Sequence, residues 1–184
     1  MKTIFIFLLL AANVLCYSQE KFYAQLEKQK IDTSQVHLIN KSILKEIIQS
    51  GDAEIYWVGI FINNCVGTPY ILKSVSHFDS IYKSRLKIIL SSSEKYKDAA
   101  SLLEVLRKNS LKSFPVYIID SEIYREKHDT RYKGLEFRNN ICEECKYSII
   151  GVPYSIFFDK KGEIIKYGYM SKEDISKLLT SVIK

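Results

Sequence analysis

Cysteines are the residues of this 184-residue chain whose type and spacing could carry chemistry. Cys65 stands alone between an apolar run and a pattern typical of a helix. The N-terminus of a helix presents free N–H groups and a partial positive charge, and both stabilise a thiolate. Cys65 is therefore a candidate nucleophile for attack on a disulfide. The alternative interpretation is an inert cysteine buried at the end of a strand.

A second cysteine motif, Cys142-Glu143-Glu144-Cys145, carries two thiols three positions apart. On a helix these positions share one face, and their separation suits a disulfide. The open interpretations are a local structural disulfide, which we favour, a pair that resolves a disulfide formed at Cys65, a zinc site, and free thiols. The two glutamates disfavour a thiolate here. Zinc would need two further ligands, and no residue stands at the spacing of a zinc finger, so we expect no metal.

The first residues have the pattern of an export signal. Lys2 precedes an apolar stretch, residues 4–15, and Cys16-Tyr17-Ser18 fits a cleavage site. We therefore predict a signal peptide over residues 1–18, a mature chain that begins at Gln19, and a periplasmic or secreted location. The apolar stretch is shorter than the roughly 20 residues of a membrane-spanning helix. No stable membrane insertion is therefore expected after cleavage.

Export would place the thiols in an oxidising compartment, where disulfides persist. The mature chain would keep three of the 4 cysteines, so at least one would be free or reactive. Cys16 could instead carry a lipid, but Asn13-Val14-Leu15 has a polar and a bulky residue where a lipid-attachment motif needs leucine and a small residue. The net charge of +6 comes from basic residues interleaved with acidic ones, so we expect a solvated surface and no nucleic acid partner.

Periodicity along the chain predicts alternating strands and helices. Residues 19–51 should form an N-terminal helical extension, and residues 52–184 should form one domain. The predicted order is a strand at 54–63, a helix from 69, a strand at 86–90, a helix capped by 91–94, a strand at 114–119, an irregular insertion at 121–140 with at most one helical turn, a short helix at 141–147, a hairpin, and a helix capped by 171–174. Both rows of the first strand are mostly apolar, so this strand should lie inside a sheet with helices on both faces.

The C-terminal part of the chain has a characteristic arrangement. Gly151-Val152-Pro153 leads into an apolar strand, and Gly162 supplies the turn of the following hairpin. Asp120 ends an earlier strand, and Tyr147 precedes the proline turn. This arrangement resembles the thioredoxin-like superfamily, in particular the periplasmic TlpA/ResA-type thiol-disulfide oxidoreductases. The resemblance covers roughly residues 54–184.

The resemblance implies an α/β thioredoxin-like fold: a central mixed β-sheet with helices on both faces, here with the N-terminal helical extension. It implies a cis peptide bond before Pro153, with Cys65 and Pro153 at the same edge of the sheet. The signature of the family is Trp-Cys-x-x-Cys, and in this chain the tryptophan is missing and Thr68 occupies the position of the second cysteine. A dithiol enzyme releases its mixed disulfide by attack from that cysteine. Cys65 would therefore work as a single thiol and would need a thiol from outside or from another cysteine of this chain.

Two functions are compatible with the resemblance. The first is an atypical thiol-disulfide oxidoreductase without a cofactor, whose partners are protein or peptide thiols and disulfides. Its implied residues are Cys65 as the nucleophile, and Pro153, Val152 and Thr68 as substrate contacts. Tyr70 and Tyr154 should flank the Cys65 end of the sheet, and their open interpretations are a lining of a peptide groove and simple packing. The second is a non-catalytic binding module that has lost the redox dithiol.

Two related activities are disfavoured by single residues. Peroxiredoxins carry threonine three residues before the reactive cysteine, and this chain has Ile62 there. Copper-chaperone relatives carry a second cysteine four residues after the first, and this chain has Pro69 there.

Overall fold

A six-stranded mixed sheet forms the centre of the protein. The computed structural model describes residues 17–124, 130–147 and 151–183. The strands are β1 (Val36–Ile39), β2 (Ile55–Phe61), β3 (Leu86–Ser92), β4 (Val116–Ile119), β5 (Tyr154–Asp159) and β6 (Ile164–Gly168). Their spatial order is β1-β4-β3-β2-β5-β6. The first four strands in this order pair in parallel, and β5 pairs antiparallel with both β2 and β6. The predicted mixed sheet is confirmed.

Helices cover both faces of this sheet. Within the described residues they are α1 (17–28), α2 (Lys41–Ser50), α3 (Thr68–Tyr82), α4 (Ala99–Lys108), α5 (Thr130–Ile141) and α6 (Lys172–Val182). Short 3₁₀ turns lie at Lys83–Arg85, Tyr96–Asp98 and Glu144–Tyr147. One apolar layer holds side chains of α1, α3, α4 and α6, and the other holds side chains of α2 and α5. None of these helices is both long and apolar enough to cross a membrane.

Strand β2 shows why the sequence pattern specifies this architecture. Trp57 and Phe61 point into the first apolar layer, whereas Tyr56 and Val58 point into the second. Successive side chains of a strand point to opposite faces, so a strand that is apolar in both rows must be covered on both sides. All seven residues of β2 are buried, and the predicted central position of this strand is confirmed.

The structure differs from the expected elements in the extension and in the insertion. The extension contributes β1 as well as helices, and this strand of four residues is too short to show a clear period. The insertion contains the 12-residue helix α5, so the prediction of an irregular segment was wrong. The buried positions of α5 include Lys133, Gly134 and Arg138, and for this reason no apolar stripe marks the helix in the sequence. Residues 125–129 lie outside the described part.

The two predicted capping boxes have opposite outcomes. At α6, the Ser171 hydroxyl accepts from the backbone N–H of Asp174 at 3.1 Å, and the Asp174 carboxylate accepts from the backbone N–H of Ser171. This box is confirmed. The box expected at 91–94 is wrong, because Ser92 still belongs to β3 and α4 begins only at Ala99.

A buried carboxylate ties the N-terminal helix to the sheet. Asp120 is fully buried just beyond β4. It accepts hydrogen bonds from the hydroxyls of Ser18 at 2.7 Å and Tyr96 at 3.1 Å, and from the Asn40 amide at 3.4 Å. Burial raises the pKa of Tyr96, and the charge of Asp120 raises it further. The network joins α1, the start of α2 and the loop after β3 to the end of β4.

We predict that Asp120→Ala lowers the free energy of unfolding by about 3 kcal/mol, because it leaves several buried donors without an acceptor. Urea unfolding followed by circular dichroism measures this loss. Asp52→Ala is the matched control, because Asp52 is exposed. Equal unfolding free energies for the two variants would show that the network contributes no net stability.

Candidate functional site

Cys65 lies in the turn between β2 and α3. Its backbone N–H donates to the carbonyl of Ile62 at 3.3 Å, and its own carbonyl accepts from the N–H of Thr68 at 3.0 Å. The hydroxyl of Thr68 donates to the same Ile62 carbonyl at 2.6 Å. These bonds fix a tight turn that presents the thiol just before the first turn of α3. Cys65 is partly exposed and is a free thiol, so the position expected for a nucleophile is occupied as predicted.

The proline loop faces this turn directly. The Val152–Pro153 peptide bond is cis, as predicted. The Cys65 Sγ donates to the Val152 carbonyl oxygen at 3.1 Å. A Cβ atom placed on Gly67 would lie 2.6 Å from Pro153 Cδ, so only glycine fits between the turn and the proline ring. The predicted neighbourhood of Cys65 and Pro153 is therefore confirmed.

Pairing between β2 and β5 explains why these two loops meet. The strands are antiparallel, with Ile60 opposite Tyr154 and Gly59 opposite Ser155. The residues just before β5 must therefore lie beside the residues just after β2. The Trp57 indole N–H donates to the Ser155 hydroxyl at 3.0 Å in the core, which fixes the same register through side chains.

Glu94 holds the chain just before the thiol and was not recognised in the sequence. Its carboxylate accepts from the backbone N–H of Asn63 at 2.7 Å. Its carbonyl accepts from the Lys133 Nζ at 2.7 Å, and Lys133 also donates to the Ser121 hydroxyl at 3.0 Å. Lys133 is fully buried. The loop after β3 is thus fastened both to the Cys65 turn and to α5. The sequence offered a capping box as the simpler interpretation of Glu94.

Two clefts open on either side of the site. The thiol cleft, of about 540 Å³, is lined by Cys65 and Val152 and by Arg131, Tyr132 and Leu135 of α5. The proline cleft, of about 420 Å³, is lined by Gly67, Tyr70, Pro153, Tyr169 and Met170. The thiol and the proline ring therefore face different clefts of one continuous edge. The α5 residues were missed in the sequence because the insertion was expected to be irregular.

Three predicted substrate contacts have different surroundings. Thr68 is only 1% exposed, and its hydroxyl is used inside the turn, so it stabilises the loop and lines neither cleft. Tyr154 is buried beneath the Arg138 guanidinium, 4.8 Å from the ring centre, so of its two open interpretations packing is the one that applies. Tyr70 is 66% exposed and lines the proline cleft, as a groove residue would.

Cys142 and Cys145 form the local disulfide that we favoured. Their Cα atoms are 5.3 Å apart, and both residues are buried just beyond α5. The backbone N–H of Cys142 donates to the Arg138 carbonyl and so continues the helix pattern. The described residues contain no group of three or more acidic, histidine or cysteine side chains that could hold a metal ion.

Comparison with known proteins finds similarity in structure alone. No family model and no curated protein matches this sequence. A thiol:disulfide interchange protein of the thioredoxin family from Chlorobium tepidum matches with a TM-score of 0.52 and 16% identity, over 76% of this chain and 85% of that one.

Two further solved structures are similar. A second Chlorobium tepidum protein, named as a thiol:disulfide interchange protein, has a TM-score of 0.51 and 11% identity over 76% of this chain and 84% of its own. The C-terminal domain of a Bacteroides thetaiotaomicron protein, named as a thiol-disulfide oxidoreductase, has a TM-score of 0.50 and 12% identity over 74% and 82%. At these identities the matches establish the fold, and this chain has a thioredoxin-like fold.

Proposed function

We propose that this protein is an exported thioredoxin-like protein that catalyses thiol–disulfide exchange through one thiol, that of Cys65. The observation that carries the proposal is the placement of Cys65 Sγ 3.1 Å from the carbonyl of Val152, beside the cis-proline and at an open cleft. A thiol used only for packing would not need to face solvent next to a backbone turn. The substrates are disulfides of proteins or peptides.

In the first step the thiolate of Cys65 attacks one sulfur of a substrate disulfide R–S–S–R′. A bond forms between Cys65 Sγ and the sulfur of R, and the bond to R′ breaks. The electron pair leaves with R′–S⁻, which takes up a proton from solvent. Gly151 is exposed and Val152 is half-buried, and the backbone of this loop supplies hydrogen-bonding groups for an extended substrate segment. The ring of Pro153 and the turn held by Thr68 keep the thiol at that backbone.

The second step needs a thiol that does not belong to the turn. A thiolate R″–S⁻ attacks the sulfur of R, so that R–S–S–R″ is released and Cys65 is regenerated as a thiolate. The number of disulfides is unchanged, and the net reaction is exchange. Cys142 and Cys145 offer no thiol while their disulfide is closed. The attacking thiol therefore comes from the substrate itself or from a second molecule.

A non-catalytic binding module is the second candidate. Thr68 stands where a dithiol enzyme has its resolving cysteine, and it is committed to the turn. Under this alternative the clefts bind polypeptide, and Cys65 forms no covalent intermediate.

We expect Cys65 to form a mixed disulfide with a peptide disulfide, detected by mass spectrometry of the intact protein after acid quenching. Cys65→Ser should give no adduct and should reduce exchange to the uncatalysed rate. The double variant Cys142→Ala/Cys145→Ala should keep the adduct. An adduct that passes on to Cys142 or Cys145 would assign the resolving role to that pair. Peptide binding without any adduct would leave the binding module as the function.

We predict that Gly67→Ala slows exchange by roughly 10- to 100-fold, because the added Cβ would displace the proline ring from the thiol turn. The same clash should cost about 1–3 kcal/mol of unfolding free energy. Exchange rates with a peptide disulfide and urea unfolding measure the two effects. Gly151→Ala, in the proline loop that faces the turn, is the matched control, because a Cβ there would meet nothing within 4 Å and the backbone groups of that loop are unchanged. A similar rate for the two variants would mean that the proline contact has no role in exchange.

The domain limits and the export signal belong to the same proposal: a signal peptide over 1–18, an extension over 19–51 and the thioredoxin-like domain over 52–184. Residues 1–16 lie outside the described part, and Ser18, which donates to Asp120 from α1, would be removed by this cleavage. The mature chain would keep the bonds from Tyr96 and Asn40 to Asp120. N-terminal sequencing of protein recovered outside the cytoplasm should begin at Gln19. A retained Met1 in that protein would refute signal cleavage.

A further inference from the structure

A groove longer than the proline cleft runs along the C-terminal helix. A neighbouring cleft of about 540 Å³ shares Tyr169 and Met170 with the proline cleft, so the two clefts are adjacent. We call the two adjacent clefts together the α6 groove, and its far end is lined by Lys166, Lys177 and Leu178. It extends from Pro153 to Ser181 in the last turn of α6 and lies at the edge of the sheet, since β6 is the last strand in the spatial order.

We propose that the α6 groove docks an extended, acidic segment of the partner polypeptide. This inference rests on the proposed function, because it places the partner chain beside the reacting disulfide. It adds the chemistry of the segment that is recognised and a binding surface beyond the thiol turn.

The charge of the groove is the first argument. Four exposed lysines line it, Lys73 and Lys172 at the proline end, and Lys166 and Lys177 at the far end. Within the described residues, none of the four has a carboxylate within 4.0 Å, whereas Lys21, Lys108 and Lys146 elsewhere on the surface are paired.

Two acidic residues, Glu173 and Asp174, also line the groove. Asp174 is already engaged, because it accepts hydrogen bonds from the hydroxyl and the backbone N–H of Ser171. Hydrogen bonds from Ser171 lower the pKa of Asp174, and the charges of Lys177 and Lys166 lower it further. Four lysines therefore face two carboxylates in this groove. The groove thus keeps an excess of positive charge, which complements carboxylates of a partner.

The exposed aromatic residues are the second argument. Tyr70, Tyr167 and Tyr169 line the groove and are 66%, 38% and 57% exposed, and Met170 lies partly buried between the two clefts. Exposed tyrosine and methionine side chains are typical of surfaces that bind polypeptide. A groove at the edge of a sheet suits an extended segment rather than a helix. A lining of both aromatic residues and lysines therefore fits a segment that carries both apolar and acidic residues.

The test uses the Cys65→Ser variant of the full chain, so that binding is measured without exchange. The probe is a fluorescein-labelled, cysteine-free peptide of alternating glutamate and leucine, and its partner probe has lysine in place of glutamate. Fluorescence anisotropy should show binding of the acidic peptide and much weaker binding of the basic one. Lys166→Glu/Lys177→Glu should weaken binding of the acidic peptide by about tenfold or more, and added salt should weaken it further.

The matched control is Lys87→Glu/Lys112→Glu, which changes the net charge equally at two exposed lysines outside the groove. Equal loss of affinity in the two double variants would overturn the proposal, because binding would then follow net charge alone. Equal affinity for acidic and basic peptides would also overturn it. So would tighter binding of a single-stranded oligonucleotide than of the acidic peptide, with the same dependence on Lys166 and Lys177.

Failure of this proposal can be told apart from failure of exchange. If the acidic peptide binds in the groove but wild-type protein forms no adduct at Cys65, the docking proposal is supported and the proposal of catalytic exchange is refuted. If wild-type protein forms the adduct and Lys166→Glu/Lys177→Glu changes neither peptide affinity nor the KM for an acidic peptide disulfide, the proposal of catalytic exchange is supported and the docking proposal is refuted.

Discussion

The antiparallel pairing of β2 with β5 is the constraint on which the rest of the structure depends. It brings the chain entering β5 beside the chain leaving β2, so two segments almost ninety positions apart become one site. The buried hydrogen bond from the Trp57 indole to the Ser155 hydroxyl and the stacking of Trp57 on Phe157 hold this register from within the core. A shift by one residue would turn both apolar rows of β2 to the wrong faces, so packing protects the geometry of the site.

Around β2 and β5, buried polar groups connect the N-terminal extension and the insertion that contains α5 to the site. Lys133 joins α5 to the loop that holds Glu94, and Glu94 in turn holds the residue at the start of the thiol turn. Asp120 joins Asn40 of the extension and Tyr96 of the loop after β3 to the end of β4. Buried charges are costly unless they are paired or hydrogen-bonded, and both of these are hydrogen-bonded. The extension and the insertion are therefore parts of the same core as the sheet.

The sequence predicts those parts of the fold that depend on period and on turn chemistry. The two apolar rows of β2, the capping box at Ser171 and the proline turn each follow from local residue types, and each is present in the structure. Helix α5 could not be predicted in this way, because its buried face consists of a lysine, a glycine, a phenylalanine and an arginine. Lys133 is buried by hydrogen bonds to Glu94 and Ser121, and Arg138 lies over the ring of Tyr154. Such contacts leave no periodic apolar signal in the sequence. The lining of the thiol cleft by α5 was missed for the same reason. The role of Tyr154 stayed open because its position in the sequence does not show that Arg138 covers its ring.

The disulfide between Cys142 and Cys145 has a consequence for the path of the chain. A link between residues only 3 apart removes little freedom from the unfolded chain, about 2 kcal/mol of entropic stabilisation against about 3 for a loop of 15 residues. The main effect of this disulfide is therefore on the direction of the backbone after α5. The covalent bond lies just after the end of α5, spans the change from this α-helix to the 3₁₀ turn Glu144–Tyr147, and keeps both sulfurs inside the second apolar layer. The cross-link thus anchors the C-terminal end of the helix that forms one wall of the thiol cleft.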